Sequence, residues 1–202
     1  MTIGKPGGCK STANAKILYE LQRLGQFPQI VSDRILLEDA VVQDVQTSGS
    51  MREDGAIVGT HSILFDGNQP PGRKVFEVID GLLLNNVHDY MVELAGSHVS
   101  RSGLLLEYAT GPDVNLPKVP LLQSGNSLID RFYRFPISRD HHIHVVEIDA
   151  SLDERLRRNG RRIDGMREDT FMKYFPDGGE LREQGEVLEQ MGVAFTRIDN
   201  DH

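Results

Sequence analysis

The chain has 202 residues, 39% hydrophobic and 26% charged, with a formal charge of −8 and one cysteine. Those values describe an ordinary soluble globular protein of one domain, and the acidic balance excludes a protein that coats nucleic acid. No apolar run approaches the roughly 18 residues of a membrane span, and one cysteine makes no internal disulfide, so a cytoplasmic location is expected.

The opening residues are polar and glycine-rich, unlike a secretory signal. Met1–Ile3 reads as a strand stub, followed by the turn GKPGGCKST. A helix is predicted over 11–24, where Ala13, Ile17, Leu18, Leu21 and Leu24 fall three and four apart, and Gly25 stops it. FPQIVSD is a short buried strand ending at Asp33, and RILLEDAVVQDV is a helix. In AIVGTHSILFDGNQPPGRKVFEVIDG two β-rich runs flank a turn-forming DGNQPPG, which predicts a hairpin insertion at about 55–80. Asp80 and Gly81 lead into LLLNNVHDYMVELAG, a helix ending at Gly96. LLLEYATG (104–111) reads as a buried strand carrying Glu107, and IHVVEIDA (143–150) as another. Ser151, with Glu154 three residues on, is a capping box that opens the helix LDERLRRNGRR. EDTFMKYF and LREQGEVLEQMG are helical, and VAFTRID (193–199) is the last strand.

Short apolar strands thus alternate with amphipathic helices, the pattern of an α/β domain with a mainly parallel sheet. Ligands of such sheets bind beyond the carboxyl ends of the strands. That rule places Gly4 onward, Asp33, the turn 109–113, Ala150–Ser151 and Asn200–Asp201 on the ligand side.

The first turn has the spacing of a phosphate-binding loop, G-x-x-x-x-G-K-[ST], between a strand and a helix. Gly4 is its first glycine, Lys10 its lysine and Ser11 its hydroxyl, with Thr12 behind and Gly7 and Gly8 inside the loop. Backbone N–H groups in such a loop cradle phosphate oxygens at the positive end of a helix. Cys9 stands where the last glycine belongs, at a position where a side chain takes room from the phosphate. The bland alternative is a glycine-rich turn that caps a helix.

A second feature lies far along the chain. RLRRNGRRIDGMR carries six arginines in an otherwise acidic protein, which fits either a small anionic ligand or a solvated helix face. Following the strand IHVVEIDA and the capped helix start, this stretch resembles the lid of adenylate-kinase-like P-loop kinases. Arg155, Arg158, Arg162, Asp164 and Tyr174 stand in comparable places. The resemblance is specific in residues 3–24 and 143–176 and covers the rest in outline. It implies a P-loop NTPase three-layer sandwich with strand order 2-3-1-4-5 and a small lid at about 151–176. The implied activity is ATP-dependent phosphoryl transfer, with ATP as substrate and Mg²⁺ as cofactor, in a monomer or simple homo-oligomer without nucleic-acid or membrane partners. Lys10 and the loop, through Gly4, Gly7, Gly8, Cys9, Ser11 and Thr12, would hold the nucleotide. Asp33 would orient the acceptor, Arg158 and Arg162 would act on the transferring group, and Ser11 and Glu107 would lie at the metal. The acceptor is a small anionic or hydroxylated molecule. Nucleoside monophosphate kinases carry D-G-[FY]-P-R after a strand, where this chain offers VIDGLLLNN and LLLEYATGPD. A nucleoside monophosphate kinase is one alternative, and a nucleotide-binding module without turnover is another.

Two further groups are candidates. His61, Ser62 and Asp66 fall in the interval where related kinases place acceptor-binding elements. DHHIH (140–144) puts His142 and His144 on one strand face, without a third metal ligand at a recognisable spacing.

Overall fold

The computed structural model describes residues 1–4, 8–65, 68, 74–97, 103–109, 114–116, 119–122, 131–134, 142–162, 168–174 and 185–201. The chain begins with β1 (Thr2–Gly4), α1 (Lys10–Arg23), β2 (Gln29–Ser32) and α2 (Asp33–Ser48). Four short strands follow: β3 (Ser50–Met51), β4 (Ile57–Val58), β5 (Ser62–Leu64) and β6 (Phe76–Val78). Then come α3 (Leu82–Ser97), β7 (Leu104–Ala109), β8 (Val114–Leu116), β9 (Val119–Leu122) and β10 (Ile143–Asp149). The chain ends with α4 (Leu152–Gly160), α5 (Glu168–Tyr174), α6 (Gly185–Gln190) and β11 (Val193–Asp199).

A five-stranded sheet runs β2-β7-β1-β10-β11, and all of its pairs are parallel. Counting these strands in chain order, the sequence of positions is 2-3-1-4-5, the order expected. Alternation along β7 separates its two faces. Leu106 and Tyr108 join Ile3 of β1, Val87, Met91 and Val92 of α3 and Leu188 of α6 in one buried cluster. Glu107 points the other way, onto Ser11 and Asn14 of α1. Helices therefore cover both faces, as a parallel sheet requires.

The hairpin expected at 55–80 is β5–β6, and it belongs to a larger antiparallel sheet of order β3-β4-β5-β6. That sheet packs on α2 through Val41, Val45 and Leu64. β8 and β9 form a further antiparallel ribbon that periodicity did not reveal. Among the described residues no helix is long and apolar enough to cross a membrane.

Helix ends follow their sequence signals. Gly25 adopts φ 74°, its N–H donates to Gln22 O, and Gln26 N–H donates to Leu21 O, a glycine-terminated C-cap. Leu24, counted above in the apolar stripe, is instead 75% exposed at this cap. At α4 the Ser151 hydroxyl accepts from Glu154 N–H at 3.4 Å, the predicted capping contact.

Candidate functional site

The site is built around the junction of β1 and α1. Gly4 ends the central strand with φ 147°, and a β-carbon there would lie 2.3 Å from Ile148 O of β10. Only glycine lets the chain leave the sheet so close to its neighbour. Cys9 precedes α1 with φ 65° and ψ 35°, a left-handed conformation that glycine adopts more readily. Its carbonyl accepts from Thr12 N–H and Ala13 N–H, both at 3.1 Å, so α1 starts on Cys9 rather than on a side-chain cap. The first turn of α1 holds no acidic residue. The positive end of the helix dipole is thus not neutralised from within.

Lys10 is buried, and its Nζ donates to Gly4 O at 2.9 Å, closing the loop on itself. Burial lowers its pKa below the usual lysine value; the charges of Asp33 and Glu107 oppose the shift, and Arg162 adds to it. Those three residues come from separate parts of the chain, and their charges converge on the Lys10 ammonium. Ser11 Oγ donates to Glu107 Oε1 at 2.9 Å across the gap between α1 and β7. Asn14 Nδ2 reaches Glu107 Oε2 at 3.4 Å, and Asn14 Oδ1 accepts from Thr2 Oγ1 at 2.6 Å. Glu107, expected inside an apolar run, is therefore a half-buried carboxylate held by a hydroxyl and an amide. Asp33 is the first residue of α2, buried directly after β2. Its carboxylate faces His88 of α3 at 3.7 Å.

The arginines divide. Arg155 is 1% exposed, donates Nε to Ala150 O at 3.0 Å and lies over the ring of Phe171, 6.0 Å from its centroid. It is buried at the carboxyl end of β10, held there by the backbone of Ala150. Arg158 is paired with Glu154 and donates Nη2 to Asn200 O at 2.6 Å. Asn200 in turn donates Nδ2 to Gly8 O at 3.0 Å, so the arginine helix is linked to the turn between β1 and α1 through the residue after β11. Arg162 follows α4, exposed, with its charge felt at Lys10. Thr12 is exposed. Gly7, Asp164 and Asp66 lie outside the described residues, as does the side chain of Tyr174.

His61 and Ser62 are engaged elsewhere. His61 Nδ1 pairs with buried Asp80 at 2.8 Å, and Ser62 Oγ donates to Asp44 at 2.7 Å. His144 Nε2 contacts Thr196 Oγ1 at 2.9 Å. No group of three metal-ligating side chains occurs among the described residues.

Asn14, His88 and Tyr108 are site neighbours that sequence reasoning missed, whereas Asn200 was already placed on the ligand side. A signal existed for two of them. Asn14 follows Lys10 by four, on one helix face. His88 stands three and four before Met91 and Val92 on the buried stripe of α3. No family model matches this chain, and no curated protein matches it in sequence.

Proposed function

We propose that this chain has the P-loop NTPase fold and is an ATP-dependent kinase that transfers a γ-phosphoryl group to a small anionic or hydroxylated acceptor. The observation that carries this reading is the junction itself: a glycine-bounded loop at the end of the central parallel strand, with Lys10 Nζ on Gly4 O and Ser11 against Glu107. Carboxyl ends of parallel strands are where such folds bind ligands. The positive helix end and the buried ammonium both favour phosphate oxygens.

In this reading Lys10 leaves Gly4 O for the β- and γ-phosphates, exchanging one oxygen partner for another. Ser11 and Glu107 offer only oxygen donors, 2.9 Å apart, which fits Mg²⁺, and these two would hold it. When bound, the ion supplies charge neutralisation across the β- and γ-phosphates. Asp33 accepts the acceptor's hydroxyl hydrogen and orients its oxygen for in-line attack. Arg162 adds positive charge as the transferring group becomes more exposed to attack, and Arg158 braces the loop through Asn200. A nucleotide-binding module without turnover is the second reading, favoured by the engagement of Arg158 with Glu154 and Asn200.

Calorimetry with Mg-ATP on the parent and on Lys10→Ala tests the reading. The expected result is micromolar-range binding to the parent and a loss of about a hundredfold or more in the variant, the size of one buried charge-assisted contact. Equal affinity in both proteins would remove the phosphate-loop assignment.

A further inference from the structure

A further buried ionisable group stands beside Asp33 and has no part in the chemistry above. His88 is 4% exposed on α3, and its Nε2 has no hydrogen-bond partner among the described residues. That nitrogen faces Asp33 Oδ2 at 3.7 Å, too long for a hydrogen bond. A movement of about 0.9 Å would bring the pair to the usual ~2.8 Å. The ring cannot tilt freely, because it is stacked on Tyr108 with centroids 4.0 Å apart and planes at 28°. Tyr108 follows Glu107 on β7, so the strand that carries one site carboxylate also braces this imidazole.

The groups facing the ring are Asp33 from α2, Arg131 from the helical turn at 131–134, Asp89 on α3 itself and Tyr108 from β7. Burial lowers the pKa of His88 below 6.5; Asp33 and Asp89 pull it up and Arg131 pushes it down. The ring is neutral at neutral pH and has one N–H to place. A buried polar nitrogen left without a partner is costly, and the Asp33 carboxylate is the acceptor in front of it.

We propose that His88 is a positioning residue for Asp33: its neutral imidazole, held against Tyr108, donates Nε2–H to one carboxylate oxygen and leaves the other aimed at the acceptor hydroxyl. This inference rests on the kinase reading of the site. It adds an orienting partner to the acceptor-side carboxylate, the arrangement by which a general base is fixed in one rotamer. Protonation of His88 at lower pH would turn the contact into an ion pair and draw the carboxylate away from the acceptor.

Two measurements on the full chain test it. Ring ¹⁵N NMR of histidine-labelled protein reads the tautomer and titration of His88 without any substrate. The expected result is an Nε2–H tautomer, neutral at pH near 7, whose signals shift in Asp33→Asn. The second measurement is the slow hydrolysis of Mg-ATP, with water as the acceptor. His88→Phe keeps the ring against Tyr108 and removes the donor; kcat should fall about a hundredfold, the cost of a misplaced reacting group, with KM for ATP unchanged. His88→Gln restores an N–H donor and should recover much of the rate. An Nδ1–H tautomer, a ring indifferent to Asp33→Asn, or full activity in His88→Phe overturns the proposal while leaving Mg-ATP binding intact. If the parent binds no Mg-ATP by calorimetry, the kinase reading fails, and this inference fails with it. If His88→Phe does not fold, the ring spectra and His88→Gln decide.

Discussion

Cys9 carries the departure from the glycine expected at the end of the loop, and its backbone shows what that glycine is for. At φ 65° and ψ 35° a β-carbon crowds the following carbonyl, a cost of about 1–2 kcal/mol for an L-residue. Glycine removes that cost but returns about 0.5–1 kcal/mol as unfolded-chain entropy. Cys9→Gly should therefore stabilise the protein by up to about 1 kcal/mol, and the β-branched Cys9→Val should destabilise it by ~2 kcal/mol. Urea unfolding reads both; a Cys9→Gly midpoint below that of the parent would contradict the strain argument. The motif spacing marked this position as one that favours glycine for room; the left-handed backbone is what the structure adds. His88 and Asn14 were legible only as positions on a helix face and not as site residues, for a physical reason. Each is one polar residue on a buried helix face, and periodicity assigns such a position to the core without saying whether its polar group meets a ligand or a neighbour. Glu107 was visible because a carboxylate in an apolar strand needs a partner, and Ser11 and Asn14 are that partner.

At the scale of elements, α4 is the best-specified piece. Its start is written in Ser151 and Glu154, and its last turn carries Arg157 and Arg158, the sign that suits a helix C-terminus. The structure adds that Glu154 serves twice, as the residue whose N–H meets the cap and as the acceptor for both arginines. Hydrogen bonds from Arg157 and Arg158 hold its pKa at about 2, below the ordinary 4.5. A depressed carboxylate contributes stability that is present above the unfolded value and is lost as pH falls through the folded one. The contacts between Glu154 and the two arginines should thus persist at pH 5 and disappear as pH falls from 4.5 toward about 2. Carboxyl ¹³C NMR of Glu154 gives the titration directly, and Glu154→Gln should flatten the acid limb of the unfolding curve over that interval. An unchanged acid limb would mean that solvent screens the pairs, of which only Arg157 is exposed. The same scale marks what the sequence could not convey. β3 and β4 have two residues each, too few for a period of two to register, and their pairing depends on α2 beneath them. The ribbon β8–β9 is short and irregular, with a break in register between Val114 and Leu116.

For the whole molecule, alternation of strands and helices was enough to foretell the parallel sheet, because each crossover must cover a face of it. It was also enough to place Gly4 and Asp33 at the same end, since both follow parallel strands. Individual arginines were beyond its reach. Six fall within thirteen residues, and a one-residue rotation along a helix decides which side of the molecule each one meets. Arg155 goes inward to Ala150 and Phe171, Arg158 goes to Asn200 and so to the loop, and Arg162 stands past the helix end within electrostatic reach of Lys10. That division predicts different kinetic phenotypes from neighbouring positions. Arg158→Ala releases Asn200 from one side and should loosen the Gly8 segment, so its main effect falls on Mg-ATP affinity. Arg162→Ala keeps the Asn200–Gly8 contact and removes a positive charge acting on Lys10, which in the kinase reading lies at the transferring group. Only interactions that strengthen in the transition state raise the rate of the chemical step. Arg162→Ala should accordingly lower kcat about a hundredfold, on the order of 3 kcal/mol, with ATP affinity changed far less. Calorimetry with Mg-ATP and turnover against a panel of nucleoside monophosphates, sugars and small hydroxy acids separate the two effects. If Arg162→Ala binds ATP as the parent does and turns over acceptor at the parent's rate, Arg162 is a solvated charge, and the arginine segment serves the loop through Arg158 alone.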